Sequence, residues 1–279
     1  MTLADTFTAN NNLVIAPFIG AMVVGFANGF FSGFVNLRRN ALSVSALSHT
    51  MLPGIAFAVL ITNELTQANA FLGALFACLL VGLGSVLVSR SSRIPQSTAL
   101  AVLYTAAFAG GIATLPHLPV VASLHDWLFG DIGLISQNDL NLIFVISTVS
   151  LILSNLFMRP LLLTLFEPSV AAAQGVPVRA MQYLIFTLLI LMLVASLQAV
   201  GCVLSVSLLV APSAIMLLFT DKTTWLFWGG AIIGAACGGA GVWLSQFVEI
   251  QAGPAIVILL GIVFSLAFIF SPRYGVLKK

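Results

Sequence analysis

The densest group of polar side chains in an otherwise apolar stretch is Ser43-Val44-Ser45-Ala46-Leu47-Ser48-His49-Thr50-Met51-Leu52-Pro53-Gly54. Ser45 and His49 are four apart, so on a helix they share one face, with Ser48 beside them. A helix starting near Asn40 places His49 roughly 13 Å along its axis, at about 1.5 Å per residue. Imidazole is a good ligand for a transition-metal cation, whereas a serine hydroxyl offers only a neutral oxygen. Pro53 removes a backbone donor and Gly54 eases a distortion, so a helix break is expected at this pair. A broken helix beside an imidazole can line a pathway and give a passing cation a transient ligand. A buried histidine bonded to a neighbouring carbonyl, next to a structural kink, is the other reading. The residues alone leave both open.

A second cluster is Phe166-Glu167-Pro168-Ser169-Val170-Ala171-Ala172-Ala173-Gln174-Gly175-Val176. Glu167 and Pro168 suit a helix start, the alanines its body and Gly175 its stop. The expectation is a short exposed helix with small side chains that another protein can approach closely, or else an ordinary amphipathic turn. Other polar groups are scattered. Gln198, Ser205, Ser207 and Ser213 could line a pathway, although interhelical hydrogen bonding suits them better. His117, His125 and Asp126 match no metal-ligand spacing and read as loop or docking-surface residues. No HExxH, GxSxG or GxxxxGK[ST] pattern occurs, so neither hydrolysis nor phosphate-loop ATP binding is expected of this chain.

These residues must be positioned by elements built for lipid. The 279 residues are 60% hydrophobic and 6% charged, with a mean hydropathy of +1.14. Soluble domains carry about 25% charged residues, so this composition excludes a soluble enzyme, a nucleic-acid binder and a disordered scaffold. The start, MTLADTFTANNN, lacks the basic head and cleavage site of a secretory signal, so the first apolar run is expected to remain. Cys78, Cys202 and Cys237 lie in apolar runs without a CxxC pair and read as buried small hydrophobes.

Apolar runs long enough to cross about 30 Å of hydrocarbon fall near 13–36, 41–62, 70–89, 96–115, 138–158, 180–199, 201–220, 224–246 and 253–271. This predicts an all-α polytopic bundle of nine spans. An eight-span version that merges or re-enters around Gln198 to Cys202 stays open. With the N-terminus outside, Arg38, Arg39, Arg90, Arg93, Arg159, Arg179, Lys222, Arg273, Lys278 and Lys279 all fall inside. Asp5, Glu64, Asp126, Asp131, Asp139 and Glu249 fall outside, where no basic residue lies. So clean a separation predicts an N-out, C-in arrangement with an acidic outer face that attracts cations. Gly25, Gly29 and Gly33, and Gly230, Gly234 and Gly238, recur every fourth residue. Such stripes allow close helix packing, within the bundle in preference to a dimer contact.

At the two polar clusters the sequence resembles the metal-ion family of ATP-binding-cassette importer permeases, which carry zinc, manganese or iron. That family shows G-D-A-x-S-H-x-x-L-P-G after a basic turn, matched here by Val44 to Gly54 after Arg38-Arg39. Its F-D-P-x-x-A-x-x-x-G corresponds to Phe166-Glu167-Pro168, Ala171 and Gly175. Leu128-Phe129-Gly130-Asp131-Ile132 through Ser136, Val200-Gly201 through Pro212, and Gly253-Pro254-Ala255-Ile256-Val257 resemble further family motifs in register. The resemblance covers nearly the whole chain. It implies a type II importer-like permease of one transmembrane domain over 1–279, located in a bacterial inner membrane and paired as a homodimer or with a second permease. Two separate ATPase subunits would hydrolyse ATP, and an extracytoplasmic solute-binding protein would deliver the metal. The segment 164–178 would hold the coupling helix that docks into the ATPase, with Phe166, Glu167, Ala171 and Gly175 in it. His49, Ser45 and Ser48 would form the transient metal pathway, with Pro53 and Gly54 at the helix break. Glu249 and Asp131 would sit at the outer mouth. One departure stands out: the family commonly has aspartate at Ser45 and glycine at Val44. The intramembrane site would then be weaker here, completed elsewhere, or suited to a chelated metal. A lone secondary transporter or channel, or a non-transporting scaffold, are the competing classes, and neither needs a docking helix at 166–175.

Overall fold

The structure is a computed structural model and describes residues 3–64, 66–114, 116, 137–201, 205–248 and 250–271. A backbone in hydrocarbon must pair its own N–H and C=O groups, and the chain does so in helices. These are α1 (Leu3–Leu37), α2 (Ala41–Thr62), α3 (Gln67–Ser91), α4 (Gln96–Thr114), α5 (Gln137–Leu156), α6 (Met158–Phe166), α7 (Pro168–Ala173), α8 (Val178–Val200), α9 (Ser205–Leu217), α10 (Thr223–Val248) and α11 (Ala252–Phe270).

Among the described residues, seven helices are long and apolar enough to cross a bilayer: Pro17–Leu37 of α1, α2, α3, α4, Val178–Leu197 of α8, α10 and α11. An eighth crossing is possible where Leu140–Leu156 and Met158–Phe166 act together, bent by 69° at their junction. Pro160 explains that junction, because it has no N–H for the Leu156 carbonyl and is tolerated only in the first turn of α6. The expected span at 201–220 appears as the 13-residue α9, about 20 Å long and short of the hydrocarbon thickness. Gly201, at φ 83°, ends α8. The bundle therefore has seven or eight spans by length and composition, in line with the eight-span version left open at this place.

The two glycine stripes meet each other within the bundle. A Cβ on Gly25 or Gly29 would collide with the carbonyls of Gly234 and Gly230, and one on Gly33 with the Phe227 ring. Only hydrogen at these positions lets α1 and α10 approach so closely, which is how dispersion holds helices together in lipid. Phe30 and Phe34 of α1 then pack on Phe227, with ring centroids 5.1 and 4.6 Å apart.

Proline in α9 is compensated by α1. Pro212 disturbs the α9 ladder, and the Ser213 N–H donates instead to Ser32 Oγ (3.0 Å). The Asn36 amide donates to the Val210 carbonyl (2.8 Å) and to Ser213 Oγ (2.6 Å). Asn28, Ser32 and Asn36 lie four apart on α1, so one polar stripe serves these bonds and another from Asn28 to Ser196. At one end of the bundle, Arg38 after α1 hydrogen-bonds Gln96 at the start of α4. There too Arg90 near the end of α3 hydrogen-bonds Gln182 near the start of α8. Basic residues thus cluster where these four helices begin or end, as the charge pattern requires. Cys78 and Cys237 are both buried, and the Cys78 thiol donates to the Leu47 carbonyl (3.4 Å).

Candidate functional site

Helix α2 carries the first polar cluster. Its apolar side, including Val44, Leu47, Met51 and Ile55, is buried in the core. The helical period then turns Leu42 and His49 outward and leaves Ser45 half-buried. The His49 imidazole is exposed in the single chain and lies against two rings of α4, Tyr104 at 6.5 Å and Phe108 at 6.2 Å between centroids. Those rings hold the imidazole beside α4 and add no charge. Ser48 does not join this face. It is 1% exposed, and its hydroxyl donates to the Ser45 carbonyl (2.8 Å).

The expected helix break is absent, for α2 runs without interruption from Ala41 to Thr62. Packing holds Pro53 inside a continuous helix. A Cβ on Gly111 of α4 would collide with the Pro53 ring, and Gly54 lies against the Gly73 carbonyl of α3. Two helices therefore clamp α2 at the proline. The chemistry of proline still matters, because Pro53 has no N–H to donate to the carbonyl four residues earlier, that of His49. Among the described residues no three His, Cys, Asp or Glu side chains gather to hold a metal. On this face one chain presents the exposed His49 imidazole and the half-buried Ser45.

The second cluster forms α7, a six-residue helix that starts at Pro168 after Glu167. It closes by hydrogen bonds from Gly175 N–H to the Ala172 carbonyl and from Val176 N–H to the Ala171 carbonyl, both 3.0 Å. Gly175 has φ 78°, the left-handed conformation this type of helix stop needs. Ala171 is fully buried and anchors the helix, whereas Glu167, Gly175, Phe166 (55% exposed) and Val170 (42% exposed) face outward. A small projecting helix results, with Phe166 and Val170 as apolar groups on its outer surface.

Asp131, Glu249, His117, His125 and Asp126 lie outside the described residues. Ser205 is buried and donates to the Gly201 carbonyl (2.6 Å), and Ser213 accepts from Asn36, so both serve helix packing. Sequence reasoning passed over Asn28, Ser32 and Asn36, although polar residues four apart in an apolar run were the signal.

A bundle of apolar helices with an exposed imidazole on one span and a projecting short helix is the frame of a polytopic membrane protein, and its family makes it a transport subunit of the ATP-binding-cassette type, not an enzyme. The chain belongs to the ABC 3 transport family, whose model matches residues 10–271. It is 36% identical over 260 residues to a manganese transport system membrane protein, MntC, of Halalkalibacterium halodurans, covering 93% of this chain and 87% of that one. It is 32% identical over 277 residues to a probable iron transport system membrane protein of Haemophilus influenzae, covering 96% of both. Among solved structures it resembles PsaBC from Streptococcus pneumoniae in complex with Fab. That match has a TM-score of 0.83 and 27% identity over 99% of each chain.

Proposed function

We propose that this chain is the permease subunit of a bacterial inner-membrane importer for a divalent transition metal, manganese or iron before zinc. The observation that carries the reading is His49: an imidazole on the uncovered face of a membrane-spanning helix, in a chain whose relatives serve manganese and iron systems. Intramembrane ionisable residues are functional by default. The chain is N-out and C-in, with the basic cluster and α7 on the cytoplasmic side.

A second copy of the chain completes the pathway against the α2/α4 face. Supporting this, Ala101, Thr105 and Ala109 are small, exposed and four apart on α4 beside the rings that flank His49. Two His49 imidazoles, each with its Ser45 hydroxyl, then offer nitrogen and neutral oxygen to the cation. Such a set holds a metal loosely, and a transport site must release what it binds. A solute-binding protein delivers the cation at the outer mouth, near Asp131 and Glu249. Separate ATPase subunits receive α7, with Phe166, Glu167 and Val170 in their groove. Nucleotide binding closes those subunits, and the rigid stop at Gly175 passes the movement to α6 and α8, switching the bundle between outward and inward access.

The reading is tested on the complex reconstituted with its ATPase and binding protein, by scanning ATP hydrolysis against manganese, iron and zinc. Stimulation by manganese or iron is expected. Stimulation only by a chelated metal would assign the cargo to the chelate, in keeping with the missing carboxylate at Ser45, and no stimulation by any form would refute metal transport.

A further inference from the structure

Beyond the transport pathway, the basic end of the bundle holds two buried hydrogen-bond donors without an acceptor among the described residues. Arg38 is largely buried after Leu37. Its Nη2 donates to Gln96 Oε1 (3.2 Å), and its guanidinium carbon stands 5.4 Å from the centre of the Phe186 ring. That bond fixes the amide, turning its nitrogen away. Arg38 Nη1 and Gln96 Nε2 are both buried and have no partner among the described residues. Arg90 stands over the Tyr183 ring at 5.2 Å and donates to Gln182. It lies close enough to pull the Arg38 guanidinium below its ordinary pKa, after burial, which is the larger cause. The partners described around Arg38 are an amide, an aromatic ring and a second guanidinium, none of which carries a formal negative charge.

Buried donors without acceptors are costly, and so are like charges held together. Water satisfies the donors but leaves the charge repulsion. An oxyanion removes both, and a planar guanidinium fork matches phosphate oxygens. The position narrows the ligand further. Arg38, Arg90, Gln96 and Gln182 lie at or near the ends of apolar spans, at the depth of lipid headgroups, where basic pockets between transmembrane helices hold phosphate.

We propose that Arg38, Arg90 and Gln96 form a binding site for a phosphate group, supplied by the headgroup of an anionic phospholipid or by free phosphate. The site is independent of the cargo.

The test is the thermal unfolding of the purified full-length chain in an uncharged detergent. One arm titrates short-chain phosphatidylglycerol against a short-chain phosphatidylcholine control, and another titrates inorganic phosphate. The expected result is a saturable rise in Tm with phosphatidylglycerol, whose half-saturating concentration increases about tenfold or more in Arg38→Gln. Gln96→Glu supplies an internal counter-anion, so that variant is expected to be at least as stable as the unmodified chain without anion, and to lose the response. Arg93→Gln, an exposed neighbour outside the cluster, keeps it. A rise produced equally by inorganic phosphate would assign the site to the soluble anion. Should Arg38→Gln fail to fold, Gln96→Glu decides. A response in Gln96→Glu equal to that of the unmodified chain, or no response to either anion, would overturn the proposal.

Discussion

Pro53 acts on His49 more than on the straightness of α2. It leaves the His49 carbonyl without its helical donor while α2 stays unbroken, so the imidazole keeps its place on the uncovered face. His49→Ala is therefore expected to lower metal uptake by the complex about tenfold or more, the scale of one lost interaction near 1.4 kcal/mol. His117→Ala should leave uptake within about twofold, and equal, small effects of the two would return His49 to a packing role. Ser45→Asp places a carboxylate four residues from the imidazole and should tighten divalent-metal binding, measured by calorimetry on the purified complex. Unchanged or weaker binding would remove Ser45 from the site. The sequence made His49 and Ser45 legible because polar groups stand out in an apolar helix. Ser48, named with them, is buried, because as the immediate neighbour of His49 it lies about 100° around the helix.

Helix packing rests on backbone contact, so its predictions concern glycines. Gly234→Leu puts a side chain into the Gly25 carbonyl, where neither backbone can yield. It should destabilise the bundle by at least the roughly 1–3 kcal/mol of overpacking, seen as a lower Tm or loss of monodisperse protein. Gly261→Ala on α11 meets nothing within 4 Å and should stabilise by about 0.5–1 kcal/mol through helix propensity alone. Gly175→Val meets no neighbour either, but a φ of 78° costs a branched residue about 1–2 kcal/mol. It should loosen α7 and reduce metal-stimulated ATP hydrolysis while the Tm of the bundle holds. A fall in Tm matching that of Gly234→Leu would make Gly175 a fold residue. Long apolar runs announced most spans, because in lipid length and composition nearly decide the matter. Hydropathy does not record direction, so it missed the 69° bend before Met158, and it overestimated the run after Gly201, which holds only the 13-residue α9. Pro160 and Gly201 were the local signals for both.

For the molecule as a whole, charge asymmetry and apolar length together set the class, and the family match agrees. What the sequence could not give is the pairing of faces: that the two glycine stripes meet each other, and that α2 and α4 leave His49 uncovered. Those depend on contacts between residues distant in the chain, which no local pattern encodes. The central claim is that this bundle moves metal only when a companion ATPase drives α7. It is tested most directly by radioactive manganese uptake into proteoliposomes containing the chain and its binding protein, with and without the ATPase subunits and ATP. Accumulation is expected only with ATPase and ATP together, reduced several-fold by Glu167→Lys. Full accumulation by the chain without the ATPase would contradict it.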